Sequence, residues 1–218
     1  MIQTTLHYVY DPLCGWCYGA SPLLKAAATL PNLRLQLHGG GLWLAERRRP
    51  MGRALRDYVR PHDERIAALT GQPFGARYFD ELLLDEQGVL DSEPPLRAIL
   101  AVTALGGAPL TMLQRIQECH YRDGLRVGEF ALLTRLAAEQ GIEHESFRAA
   151  FDAAPLAEHL RDSQWWLRRI GGQGYPTLAL QRGERLERVD ISAMLGRPEA
   201  LRQWLAVRCE DREPSIEQ

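Results

Sequence analysis

The sequence predicts an α/β fold in which the two ends of the chain build one mixed sheet and an all-helical insertion separates them. Three features carry that expectation. Residues 4–38 read as strand, helix, strand. Residues 45–170 carry a helical period almost throughout. Residues 177–205 return to strand, strand, helix.

The opening strand is Thr4-Thr5-Leu6-His7-Tyr8-Val9-Tyr10, rich in β-branched and aromatic side chains that fit a pleated, packed surface. Residues 18–30 then place Leu23, Leu24, Ala27 and Leu30 at helical spacing. After Pro31-Asn32, residues 33–38 alternate apolar and polar, the two-residue period of a second strand. Strand, helix and strand over so short a span make a βαβ unit, with parallel strands and a right-handed crossover. The triplet Gly39-Gly40-Gly41 ends it and reads as a flexible exit, the other reading being a backbone open to substrate.

The middle of the chain predicts a run of helices. Candidates are residues 53–69, punctuated by Pro61, and a short helix over 77–84. A further helix opens at Pro94-Pro95, carries Leu96, Ile99, Leu100 and Ala104, and closes at Gly106-Gly107. Residues 111–121 hold an apolar stripe of Met112, Ile116 and Cys119. Residues 130–140, 145–151 and 157–170 follow. Short connections rich in Gly or Pro suit helices packed antiparallel.

Strand periodicity then returns. Residues 177–180 and 185–190 read as strands joined by a tight turn, hence a hairpin. Leu201, Trp204 and Leu205 mark a closing helix, and the charged tail beyond Glu210 is expected to fray. The expected division is residues 1–44 plus 158–218 as the sheet domain and 45–157 as the helical insertion.

Composition narrows the function. The chain has 218 residues, enough to bury a sizeable core. Its formal net charge is −2, so no electrostatic case exists for nucleic acid or an anionic membrane. No apolar run approaches the length of a membrane span, and no basic leader precedes the first strand. A cytoplasmic protein is expected, and structural disulfides are rare there. The four cysteines at 14, 17, 119 and 209 therefore suggest one functional pair and two bystanders.

The pair is Cys14-Gly15-Trp16-Cys17, at the seam between the first strand and the first helix. The unpaired N–H groups of a helix's first turn, and the positive end of its dipole, favour a thiolate over a thiol. Cys14 falls at the turn and is expected to be exposed and reactive. Cys17 lies about one turn further in and is expected to be shielded. The same spacing also serves as half of a zinc site.

A strand-turn-helix Cys-x-x-Cys resembles the active site of the thioredoxin superfamily. With a helical insertion between βαβ and ββα fragments, the whole layout is similar to the DsbA-type branch, and most similar to its cytoplasmic, FrnE-like dithiol-disulfide isomerases. The resemblance implies a thioredoxin-like domain and a thiol-disulfide oxidoreductase or isomerase. In this reading Cys14 attacks a protein disulfide and Cys17 resolves the mixed disulfide, while Gly15 and Trp16 tune the pair. It also implies that Pro176, in Gly171-Gly172-Gln173-Gly174-Tyr175-Pro176-Thr177, follows a cis bond beside the cysteines. Tyr175 and Pro176 would then bind substrate, with the Tyr175 backbone pairing an extended peptide. No cofactor or metal is implied, although glutathione would serve as a redox partner. The protein partner would be a disulfide- or dithiol-containing chain, and the resemblance leaves monomer and homodimer open. The alternative is a glutathione-dependent transferase or isomerase of the kappa-class or hydroxychromene carboxylate isomerase type. Those resemble the same fold but typically carry Ser at the reactive turn.

Other candidates are weaker. Asp11, three residues before Cys14, reads equally as a proton relay or as the start of an Asp-Pro turn. Cys119 and His120 are adjacent on a helix, which points them about 100° apart and argues against shared metal ligation. Cys119 and Cys209 both continue apolar faces and read as packing residues. His7 and His38 are expected in core or edge positions of strands. Lys25, the chain's single lysine, reads as a surface residue with a buried stem.

Overall fold

The structure is a computed structural model, and it describes residues 4–210. The tail expected to fray lies outside the described residues. β1 (Thr4–Tyr10), α1 (Gly15–Ala27) and β2 (Leu33–Gly39) open the chain. The insertion holds β3 (Arg49–Pro50), α2 (Arg53–Thr70), α3 (Ala76–Asp80), β4 (Val89–Leu90), α4 (Glu93–Ala104), α5 (Pro109–Gln117), α6 (Phe130–Ala138) and α7 (His144–Asp152). α8 (Leu156–Ile170), β5 (Thr177–Arg182), β6 (Arg185–Val189) and α9 (Pro198–Glu210) complete it.

The main sheet has the order β2-β1-β5-β6, so the first and last strands share one sheet as the sequence predicts. β1 runs parallel to β2, with Thr4 opposite Leu33 and Tyr10 opposite Gly39. It runs antiparallel to β5, with Val9 opposite Thr177. β5 and β6 form the expected hairpin, whose two-residue turn begins at Gly183 with φ +57°.

As the inner strand between β2 and β5, β1 is buried on both faces. Leu6, Tyr8 and Tyr10 face α1, where the Tyr8 hydroxyl donates to the Cys17 carbonyl at 3.4 Å. His7 and Val9 face α8, where the His7 ring stacks on Trp166 at 3.9 Å. Two-sided burial needs apolar or internally paired residues at every position, and that is why the opening strand shows no polar alternation. Each large side chain fully buried here stabilises the fold by roughly 1.5–3 kcal/mol.

Three expectations about local structure need correction. The insertion is not all helical, because Arg49 and Pro50 pair with Leu90 and Val89 in a two-residue ladder. α2, expected as one helix punctuated by Pro61, is one helix and runs through that proline. The segment expected as one helix over 77–84 divides into α3 and a 3-10 turn at Leu82–Leu84. α5 widens into a π-turn at Glu118–Arg122, which buries the consecutive residues Cys119, His120 and Tyr121. A π-turn adds a residue to the hydrogen-bonded ring, so the 100° spacing assumed from the sequence does not apply there.

The glycine triplet is also not a loose exit. A Cβ on Gly40 would lie 2.1 Å from the Tyr175 hydroxyl oxygen, and one on Gly39 would lie 2.5 Å from Leu96. These glycines let the Tyr175 ring and the insertion close against the end of β2.

Candidate active site

The site is assembled where β1 ends and α1 begins. Cys14 is the N-cap of α1, and its amide donates to the Asp11 carbonyl at 3.2 Å. Its own carbonyl accepts from Tyr18 N at 3.0 Å and so starts the helix. Cys17 is fully buried one turn further on, as expected. Cys14 departs from expectation: it is only 7% exposed. The insertion and the Tyr175 loop cover it, which sequence periodicity does not show.

Cys14 and Cys17 are unbridged neighbours. Burial pushes the Cys17 thiol well above its ordinary value, and the nearby Cys14 adds to the effect. Burial likewise raises Tyr8, with Cys17 and Cys14 contributing after it. Tyr8 thus presents a neutral hydroxyl beneath the pair.

The Gly-rich loop before β5 brings the second expected motif to the first. The Tyr175–Pro176 bond is cis. Cys14 Sγ donates to the main-chain oxygen of Tyr175 at 3.6 Å, across 161 residues of sequence. Gly15 and Trp16 are half-buried, and the Arg65 guanidinium lies 5.9 Å from the Trp16 ring centre.

Asp11 holds this turn in place. It is fully buried, and its Oδ1 accepts from Leu13 N at 2.8 Å and from Ser92 Oγ at 3.0 Å. Its Oδ2 accepts from Leu42 N at 2.7 Å. Trp43 closes the same clamp: its indole donates to the Leu13 carbonyl at 3.2 Å, and its amide donates to Ser92 Oγ at 3.2 Å. Burial raises the Asp11 carboxyl to about 7, although these hydrogen bonds oppose the rise. Ser92 immediately precedes α4, so one carboxyl ties the Cys14 turn to the insertion.

A second buried acid comes from the insertion and was not singled out in the sequence. Asp63 of α2 is 4% exposed, and its Oδ2 accepts from the Tyr78 hydroxyl at 2.8 Å. Its Oδ1 would lie 2.6 Å from a Cβ on Gly15. Burial raises Asp63 to about 7. The sequence did hold a signal: Asp63 shares a helical face with Ile66, and these two are the buried residues of α2.

The remaining candidates lie away from the pair. His7 Nδ1 and His38 Nε2 are 3.0 Å apart beneath α8. Cys119 packs in the core, and Lys25 is exposed. Among the described residues no group of three His, Cys, Asp or Glu side chains is placed to hold a metal ion. No described helix is long and apolar enough to cross a membrane.

A scan against protein-family models gives no match, and a search of curated proteins finds none similar. Solved structures do match. The chain is similar to the cytosolic disulfide reductase DsbM from Pseudomonas aeruginosa, with 50% identity and a TM-score of 0.87 over 94% of this chain and 98% of that one. The same reductase solved with glutathione matches at 49% identity and a TM-score of 0.85. The chain belongs to the DsbA-like thioredoxin-fold oxidoreductases.

Membership of the DsbA-like family makes the four-stranded sheet a thioredoxin-like sheet and supports thiol-disulfide oxidoreductase activity. A protein disulfide isomerase-like structure from Nitrosomonas europaea is also similar, at 25% identity and a TM-score of 0.76 over 94% of this chain and 97% of that one. A 2-hydroxychromene-2-carboxylate isomerase matches at 16% identity with a TM-score of 0.57, over 94% of this chain and 97% of that one. That likeness extends to the fold alone.

Proposed function

We propose that this protein reduces or rearranges disulfides in other proteins in the cytoplasm, using Cys14 and Cys17 as its redox pair and glutathione to recycle it. The observation that carries this reading is the meeting of Cys14 Sγ with the Tyr175 main-chain oxygen at 3.6 Å. An extended substrate chain pairing with the Tyr175 backbone would present its disulfide to Cys14. The likeness to a disulfide reductase, also solved with glutathione, supports the direction and the recycling partner.

The chemistry balances within the pair. The Cys14 thiolate attacks one sulfur of the substrate disulfide, forms the mixed disulfide and expels the other substrate sulfur as a thiolate. Cys17, losing its proton, attacks Cys14 Sγ and releases the second substrate thiol. The substrate gains two electrons, and Cys14–Cys17 becomes a disulfide. Two glutathione molecules then restore the dithiol and leave as one glutathione disulfide. In a rearrangement, the released substrate thiolate attacks a second substrate disulfide, and the thiolate that this expels attacks the substrate sulfur of the mixed disulfide, forming a new substrate disulfide and expelling Cys14 as the thiolate. Gly15 lets the insertion approach the turn, and Trp16 borders it.

Asp11 reads better as a positioning group than as a proton relay, because both its oxygens are occupied by three donors from three segments. The transferase or isomerase alternative gains no support beyond the fold, and the presence of both cysteines favours thiol exchange. Insulin reduction with glutathione tests the choice. Catalysis abolished in Cys14→Ala supports the reading. Turnover of an electrophile with glutathione that survives loss of both cysteines would replace it.

A further inference from the structure

Asp63 places an uncompensated acid against the helix end that carries Cys14. Its Oδ1 sits where a Cβ on Gly15 would come within 2.6 Å, and Gly15 is the first residue of α1. A larger residue at position 15 would force this carboxyl to shift and would press on Ile66, whose Cδ1 would lie at 3.1 Å. The insertion and the redox turn are therefore closely fitted to each other here.

Among the described residues Asp63 has no ion-pair partner, and its hydrogen bond comes from the neutral hydroxyl of Tyr78 on α3. Tyr78 meets His120 and Tyr121 of the π-turn edge-on, at 5.3 and 5.2 Å between ring centres. Burial lowers His120 to about 3, so it is neutral near pH 7. Burial, and then Tyr78, Asp63, Cys14 and Asp11, raise Tyr121.

We propose that Asp63 is a redox-tuning residue: its carboxylate, set against the first turn of α1, disfavours negative charge on the Cys14 sulfur and so makes the Cys14–Cys17 pair a stronger reductant. This rests on the redox reading of the pair given above. The positive end of a helix attracts negative charge, and here two acidic groups compete for one helix end. Repulsion between them penalises the reduced form, in which Cys14 can ionise, and spares the disulfide, which carries no charge. Reduction of the pair takes up two electrons and two protons from two glutathione molecules, and the charge on Asp63 shifts that balance toward the disulfide. Asp63 is raised to about 7, so the effect switches on as pH rises through neutrality.

The test is a redox titration of the full chain with glutathione and glutathione disulfide at pH 5.5 and pH 8. Relative to wild type, Asp63→Asn is expected to favour the dithiol by about tenfold at pH 8, roughly 30 mV for a two-electron couple. At pH 5.5 the two proteins should agree within about twofold, because the wild-type carboxyl is then protonated. An equal equilibrium constant at pH 8, or a shift the other way, overturns the proposal. A merely structural role would not give a shift confined to the higher pH.

A second measurement needs no variant. Coupling is reciprocal, so the Asp63 carboxyl, followed by carbon-13 NMR in wild type, should titrate at higher pH in the dithiol than in the disulfide form. One midpoint in both forms overturns the proposal, even if Asp63→Asn fails to fold. Failure of wild type to exchange with glutathione or insulin at all would instead overturn the redox reading, and this inference with it.

Discussion

Cys14 Sγ and the main-chain oxygen of Tyr175 are hydrogen-bonded at 3.6 Å, although 161 residues separate them. The contact joins the start of α1 to the loop entering β5, and the β1–β5 ladder holds both ends in place. Under the proposed function, thiol exchange at Cys14 and peptide pairing with the Tyr175 backbone would occupy one small area.

The first prediction ranks the thiols. Cys14 has some exposure, whereas Cys17 has none and its thiol is pushed up by burial. Brief iodoacetamide treatment of the reduced protein at pH 7, mapped by peptide mass, should label Cys14 first. Cys17→Ala should accumulate a mixed disulfide with substrate at Cys14, while Cys14→Ala should accumulate none. Earlier labelling of Cys119 would move the active site elsewhere.

Gly40→Ala tests the fit of the Tyr175 loop. The added methyl would sit 2.1 Å from the Tyr175 hydroxyl oxygen and 2.2 Å from its ring, so the ring must move. Repacking of this kind costs about 1–3 kcal/mol. Since the same residue offers its carbonyl to Cys14, the insulin-reduction rate should fall by about tenfold or more. Unchanged stability together with unchanged rate would show that the Tyr175 position is unimportant.

Much of this site was legible in the sequence, and the reasons are local. Cys14 and Cys17 announce themselves by spacing and by lying between two periods. Pro176 was legible only through resemblance, since a Pro entering a strand ordinarily reads as an edge or turn device. Asp63 was hidden because a charged residue on a helix is by default solvated, and only the packing of α2 on α1 turns it inward. The burial of His120 was hidden by the π-turn, which no apolar period records. The β3–β4 ladder is too short to show alternation.

Asp11 sets the third prediction. Its folded-state value is about 7, against an ordinary 3.8, so the folded protein holds this proton more tightly than the unfolded chain. Stability supplied by that group is full below about pH 4 and is lost as pH rises toward 7. The loss is on the order of 4 kcal/mol. In Asp11→Asn the group cannot ionise, but the amide replaces one acceptor and faces a donor, at a cost of about 1–3 kcal/mol. The variant should melt at a lower temperature than wild type near pH 4, and the order should reverse by pH 8, where wild type has lost more than this cost. Parallel melting curves at the two pH values would contradict this account.

The final prediction concerns the acid limb and has the opposite sign. His7 and His38 lie beneath α8, their facing nitrogens 3.0 Å apart and Trp166 stacked on His7. One ring must donate and the other accept, so the pair can stay neutral and paired but cannot carry two protons without repulsion. Burial, then His7 and His159, lower His38 to about 3 from its ordinary 6.5. Burial also lowers His7, although its hydrogen bond to Gln181 at 2.7 Å opposes the change. A depressed folded value means that the unfolded chain binds the proton more readily. The stability these histidines supply is therefore present above about pH 6.5 and is lost as pH falls toward 3. His38→Gln keeps a donor and an acceptor opposite His7 but cannot charge. It should cost about 1 kcal/mol at pH 7.5 and yet flatten the loss of stability between pH 6 and 4. Urea denaturation across that range reads both effects. A variant whose stability falls with acid as steeply as wild type would place the acid sensitivity outside the β1–β2–α8 seam.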